Sequence, residues 1–235
     1  MWAVRFCVLM DNIIRIEEII GYSFKDKNLI VQAITHSSYA NERKINIVPD
    51  YERLEFLGDA VLELTVSDFL YLRQENYKEG QMTRMRAALV CEQSLAACIK
   101  ENGIYNYILL SKGEENTGGR QRESILCDVF EAIVGALYLD GGMDVAKQYI
   151  YDFLLNDWEN KMLFTDSKSI LQEKVQDKGQ KLEYKVVKEE GPSHNKTFFV
   201  NAYIDDELIA EGLGHSKKAA EQMAAYKYLK MIGNK

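Results

Sequence analysis

The sequence predicts two folds in series: an all-α domain over residues 11–160 and, beyond a linker at 161–165, a small α-β-β-β-α domain over 166–235. Three observations predict it. Apolar residues recur with the period of a helix face almost throughout residues 11–162. Alternation of the strand kind occurs only after Trp158. Proline, which interrupts helices and strands alike, appears only at Pro49 and Pro192.

At the N-terminus MWAVRFCVLM is briefly apolar, but Arg5 interrupts it and Asp11 follows at once, which makes a poor signal peptide. Met10 is an alternative start. Breaks at Gly21, 44–50, Gly80, Gly103, 111–122 (SKGEENTGGRQR) and Gly141-Gly142 leave about seven helices and no convincing strand. Past ENKMLFTD (159–166), SKSILQEKVQDKG reads as an amphipathic helix. LEYKVVKEE and KTFFVNAYIDD read as strands joined by GPSHN, and ELIAEGLG as a third. SKKAAEQMAAYKYLKMI reads as a helix with Ser216 as its N-cap.

The chain of 235 residues is 47% hydrophobic, enough for a sizeable core. Its net charge of −7 argues against a general nucleic-acid binder, which is usually basic. The charge is uneven, however: residues 163–235 carry 12 Lys/Arg against 11 Asp/Glu, whereas residues 1–162 carry 17 against 25. No stretch approaches the ~20 apolar residues of a membrane span. Cys7, Cys91, Cys98 and Cys127 form no C-x-x-C pair and read as buried thiols in a reducing compartment. A cytoplasmic protein is expected.

Within the first domain, YERLEFLGDAVLEL (51–64) is core-like yet carries Glu52, Glu55, Asp59 and Glu63. At about 100° per residue these four fall within an arc of roughly 80°, flanked by Leu62 and Phe56. SILCDVFEAIVGALYL (124–139) repeats the pattern with Asp128 and Glu131, and places the small residues Ser124 and Gly135 on the same face. If the two helices pack together, their acids converge. Clustered carboxylates without a basic partner repel one another, and a hard divalent cation such as Mg²⁺ relieves that. The histidines, His36, His194 and His215, lie outside these helices, and no Glu-x-x-His motif suggests a di-iron site. The plainer alternative is a solvated stripe, or unrelated carboxylates bonded to backbone or water. Carboxylate-held Mg²⁺ suits phosphoryl-transfer chemistry.

ERLEFLGDAVL (52–62) resembles the signature of the ribonuclease III family. THSSYANE (35–42), EGQMTRMRAALV (79–90), LSKGEENTGGR (110–120) and ILCDVFEAIVGALYLDGG (125–142) resemble its other blocks, in order. LQE (171–173), GPSHNKTF (191–198) and GHSKKAAEQMAA (214–225) resemble a double-stranded-RNA-binding domain. The resemblance implies an endonuclease that depends on Mg²⁺, with Mn²⁺ able to substitute, and cuts both strands of duplex RNA, leaving 5′-phosphates and short 3′ overhangs. It implies metal-binding carboxylates at Glu55, Asp59, Asp128 and Glu131, with Asp59 and Glu131 as the catalytic pair. Glu52 and Glu79 match further acidic positions, whereas Glu63 has no family role and reads as structural. A homodimer is implied, with Phe56 packing across it; an ordinary core Phe is the alternative. No membrane association or small-molecule cofactor is expected. Precursor ribosomal RNA, with some messenger and small RNAs, is the implied substrate class.

In the tail, the resemblance brings Gln172, Glu173 and His194 to minor grooves and Lys217 and Lys218 to the phosphates between them. A non-cleaving duplex-RNA scaffold and a ribosome-associated structural protein are the competing readings. An intact acid cluster disfavours both.

Overall fold

The computed structural model describes residues 2–42, 49–73, 77–158, 167–192 and 196–233, with side chains described from Leu9 onward. Two compact units divide the chain, Met1–Asn156 and Asp157–Lys235. The expected linker at 161–165 lies outside the described residues.

In the first unit α1 (Trp2–Ile20) is one helix. Ile13, Ile16 and Ile20 give it a buried stripe at helical spacing. It ends at Gly21, whose φ of +73° is a conformation glycine adopts without strain. Glu17 fastens the next turn by accepting from the Phe24 amide at 2.6 Å and from Lys27 Nζ. Then follow α2 (Lys27–Ala33), α3 (Ser37–Glu42), α4 (Glu52–Arg73), α5 (Glu79–Leu89), α6 (Glu92–Glu101), α7 (Lys112–Asn116), α8 (Glu123–Gly141) and α9 (Met143–Ile150). α9 continues into a π turn at Tyr151–Leu155.

The division into about seven helices needs correction at three places. Gly80 does not break a helix: it lies in the first turn of α5. The apolar run that follows is two helices, because the chain turns at Val90 and Cys91 between α5 and α6. The polar stretch 111–122 holds α7 and a 3-10 turn at Gly119–Gln121. Ser111 caps α7 by accepting from the Glu114 amide at 3.1 Å. Arg120 then pins the segment, donating to the Tyr105 and Ile108 carbonyls and to Glu115.

α8 is the axis of this unit. Ten of its residues, from Ile125 to Leu137, are buried. At its C-terminal end Asp140 accepts from Tyr22 Oη and from the Lys25 and Asp26 amides, all within 2.9 Å. Its main partner is α4, and the two backbones touch. A Cβ on Gly58 would lie 1.8 Å from the Glu131 carbonyl oxygen, and one on Gly135 would lie 2.3 Å from that of Leu54. The small residue beside the acids of α8 therefore admits a helix: α4 fills the space at Gly135.

In the second unit the described elements are α10 (Ser167–Asp177), β1 (Leu182–Glu190), β2 (Thr197–Ile204), β3 (Glu207–Gly214) and α11 (Lys217–Gly233). The sheet is antiparallel in the order β1-β2-β3. Val200, Ala202 and Ile204 on β2 are buried, alternating with less buried residues as a one-faced strand should. Leu171 and Val175 of α10 meet Ile204, Ala225 and Leu229 in the core. Gly212 lets β3 approach α11, since a Cβ there would be 2.0 Å from the Ala220 carbonyl oxygen. Asp205 and Asp206, at φ of +47° and +68°, form the tight turn between β2 and β3. Ser216 caps α11, its Oγ accepting from the Ala219 amide at 3.1 Å.

Candidate active site and RNA-binding surface

The Gly58–Gly135 contact sets the level at which α4 and α8 face each other. Glu55 and Asp59 of α4 then stand beside Asp128 and Glu131 of α8. Glu55, Asp128 and Glu131 are half-buried; Asp59 and Glu52 are exposed. The cluster is thus open to solvent on one side.

Its electrostatics follow from burial and like charge. Glu131 is pushed up to about 8, first by desolvation and then by Asp59, Glu55 and Asp128. Glu55 is raised to about 6 by desolvation, followed by Asp128, Glu52, Asp59 and Asp50. Asp128 is also raised, chiefly by burial, with a hydrogen bond from Tyr51 and the nearby His36 pulling the other way. Among the described residues no lysine or arginine forms an ion pair with any of these acids. Neighbouring acids whose ionisation is opposed by burial and like charge suit a site for positive charge.

Several neighbours escaped the sequence reading. Tyr51, 3% exposed, donates its hydroxyl to Asp128 Oδ2 at 3.0 Å. His36, expected to lie away from these helices, packs its ring 5.7 Å from the Tyr51 ring. Cys127 brings its Sγ to 3.9 Å from Glu131 Oε1, and donor atoms of Cys127, Asp128 and Glu131 lie within 4.8 Å of one another. Burial and Glu131 push the Cys127 thiol up. Cys91, Cys98 and Cys127 are free thiols. Asp50 and Glu92 add to the negative field. Spacing along one helix signals only Cys127, one turn before Glu131, and Tyr51, which starts α4 one turn before Glu55.

Two other acids sit differently. Glu63 pairs with Arg86 Nε at 2.8 Å, which gives it a structural partner. Glu79, on α5, accepts from Thr83 Oγ1 at 2.8 Å and lines a cavity with Leu64, Asp68, Tyr71 and Met82, beside the C-terminal half of α4. Phe56 is 82% exposed, so it is not a core residue. Leu64 and Tyr71, also exposed, share its side of α4, next to the acidic stripe.

In the second unit Gln172 is half-buried and Glu173 exposed on α10, and Lys217 and Lys218 are exposed at the start of α11. Cations at a helix N-terminus oppose the dipole, an arrangement that a phosphate would reverse. Lys217 leans towards Glu189, 3.6 Å away, while Lys218 forms no ion pair among the described residues. His194 lies outside the described residues. Among those described, no helix is long and apolar enough to cross a membrane.

Comparison with known proteins agrees with both units. The Ribonuclease-III-like family model matches residues 26–158, and the double-stranded RNA binding motif matches 167–232. The chain is similar to ribonuclease 3 of Enterococcus faecalis, at 52% identity over 95% of this chain and 99% of that one. Ribonuclease 3 of Oceanobacillus iheyensis is 48% identical over 93% and 97%. A solved nuclease domain of Campylobacter jejuni ribonuclease III, described for flexibility in a region involved in dimer formation, is similar at 41% identity. That match has a TM-score of 0.56 and covers 60% of this chain and 95% of that one. A helical nuclease unit followed by a duplex-RNA-binding unit, matched along nearly the whole chain, means that this protein belongs to the ribonuclease III family of endoribonucleases.

Proposed function

We propose that Glu55, Asp59, Asp128 and Glu131 hold a divalent cation, Mg²⁺ with Mn²⁺ able to substitute, and that the protein cuts both strands of duplex RNA. The carrying observation is the carboxylate cluster without a basic partner, with Glu131 raised to about 8. Oxygen donors of this kind suit Mg²⁺, which keeps several of its waters. A cation bound there supplies Lewis-acid polarisation of the phosphodiester and a water of lowered pKa.

The protein's own groups do the placing. Asp59, exposed on α4, and Glu131, half-buried on α8, form the catalytic pair at the solvent-open side, where a phosphate can approach. Glu55 and Asp128, half-buried like Glu131, complete the donor set. Glu52 adds negative field near them, and Glu79, beside Leu64 and Tyr71 at the C-terminal half of α4, is an RNA-side group. In the tail Gln172, Glu173 and His194 meet minor grooves, and Lys217 and Lys218 meet phosphates.

A homodimer completes the reading. Phe56, Leu64 and Tyr71 expose 82%, 61% and 71% of their surface on one side of α4, next to the acids. A second copy covers that apolar strip and brings a second site to the same duplex, one for each strand. The products carry 5′-phosphates and short 3′ overhangs, and the substrates are ribosomal precursors with some messenger and small RNAs.

Incubating the protein with long duplex RNA tests the reading. Mg²⁺ or Mn²⁺ should support cutting, and Ca²⁺ should permit binding with little cleavage. Full activity in excess chelator would sink the proposed site.

A further inference from the structure

We propose that Tyr51 is a positioning residue for the cation site: its buried hydroxyl holds Asp128 by one oxygen and leaves the other to ligate. The inference rests on the reading of Asp128 as a ligand.

Tyr51 stands at the junction of three segments. Its amide donates to the Thr35 carbonyl at 3.0 Å. Its own carbonyl accepts from the amides of Leu54 at 2.8 Å and Glu55 at 2.9 Å, so it begins α4. Its hydroxyl crosses to α8 and donates to Asp128 Oδ2 at 3.0 Å. The segment that anchors it is itself pinned. Thr35 Oγ1 donates to the Val31 carbonyl at 2.6 Å, and the His36 amide to the Leu109 carbonyl at 3.1 Å. At 3% exposure and with its ring against His36, Tyr51 has little freedom to turn.

Among the described residues this hydroxyl is the one side chain that hydrogen-bonds Asp128. Without it the carboxylate would sit half-buried among like charges with nothing to fix its rotamer. The same residue fixes the first turn that carries Glu55. Tyr51 therefore sets the register between one proposed ligand on α4 and one on α8. Partners that orient ligands in this way typically change metal affinity about 10- to 100-fold when removed.

Tyr51→Phe keeps the buried ring and removes only the hydroxyl. Mn²⁺ binding to the full-length protein without RNA, measured by calorimetry, should weaken about 10- to 100-fold. The Mg²⁺ concentration for half-maximal cutting of long duplex RNA should rise in parallel, with kcat at saturating Mg²⁺ changing far less. Adding Tyr51→Phe to Asp128→Asn should weaken Mn²⁺ binding no further, because the two act through one contact. An unchanged Mn²⁺ affinity in Tyr51→Phe, beside a weakened one in Asp128→Asn, overturns the proposal. Loss of the fold in Tyr51→Phe also overturns it, in favour of a purely structural role. An Asp128→Asn variant that binds Mn²⁺ like the wild type removes Asp128 from the site and this inference with it.

Discussion

Glu131 combines three properties that a plain core residue would not. It lies on the most buried helix, it is half-exposed, and it is held near pH 8 by burial and three acidic neighbours. Glu131→Gln keeps the size and removes the charge. Cleavage of duplex RNA should fall by ~10²–10³ or more, the usual loss for a key electrostatic group. Gel-shift binding should persist. The pH dependence gives a second readout. Folded Glu131 and Glu55 keep protons up to about 8 and about 6, whereas both release them near 4.5 when unfolded. Between those values the folded state binds more protons than the unfolded one, so its stability is greatest at the acid end and is lost as pH rises. In chelator, the melting temperature should fall from pH 5 to pH 8, and Glu131→Gln should flatten that fall. Mg²⁺ should raise it more at pH 8, where less proton must be displaced. A flat wild-type profile would contradict the raised acids.

At the scale of elements, the site depends on how closely α4 and α8 approach. Gly58→Ala would place a methyl carbon 1.8 Å from a backbone oxygen of Glu131, a neighbour that cannot rotate away. The helices must part, and overpacking of this kind costs about 1–3 kcal/mol or more. The melting temperature should drop by about 2–4 °C for each kcal/mol, and cleavage should fall further than the loss of folded protein explains. Gly80→Ala is the contrast. Its Cβ meets only Arg84 Nη1 at 4.0 Å within a helix, so stability should rise slightly. These two glycines also show what the sequence can tell. Period and alternation placed β1 and β3 at their observed bounds, because a strand's alternation is local. Gly80 looked like a break and Gly135 only like a small residue on the acidic face, because what a glycine faces depends on the partner element. The acids of α4 and α8 were legible from spacing and family resemblance together. His36, Asp50 and Glu92 were not: Asp50 stands just ahead of α4, where the helix period does not yet apply, and His36 and Glu92 reach the cluster from other segments. Tyr51, at the start of α4, had only its spacing to Glu55 as a signal.

Along the chain an acidic nuclease unit is followed by a nearly neutral RNA-binding one, and that division predicts how affinity and chemistry separate. The first unit has its own core around α8, so removing residues 163–235 should leave it folded. Duplex-RNA binding should then weaken strongly at physiological salt, while cutting survives best at low salt and high Mn²⁺. Within the full chain the lysines at the start of α11 allow a finer test. Each side chain that displaces a counterion from a phosphate contributes roughly one unit to the slope of log affinity against log salt. Lys218, without an ion pair among the described residues, should contribute close to its full unit. Lys217 must first leave Glu189, so its contribution should be smaller, and Glu189→Gln should tighten binding. Lys217→Ala with Lys218→Ala should therefore reduce the slope by somewhat less than about two units without altering the melt of either unit. A slope unchanged by the double substitution would place the duplex on another face of the domain, and the acid cluster would then have to receive RNA without those two contacts.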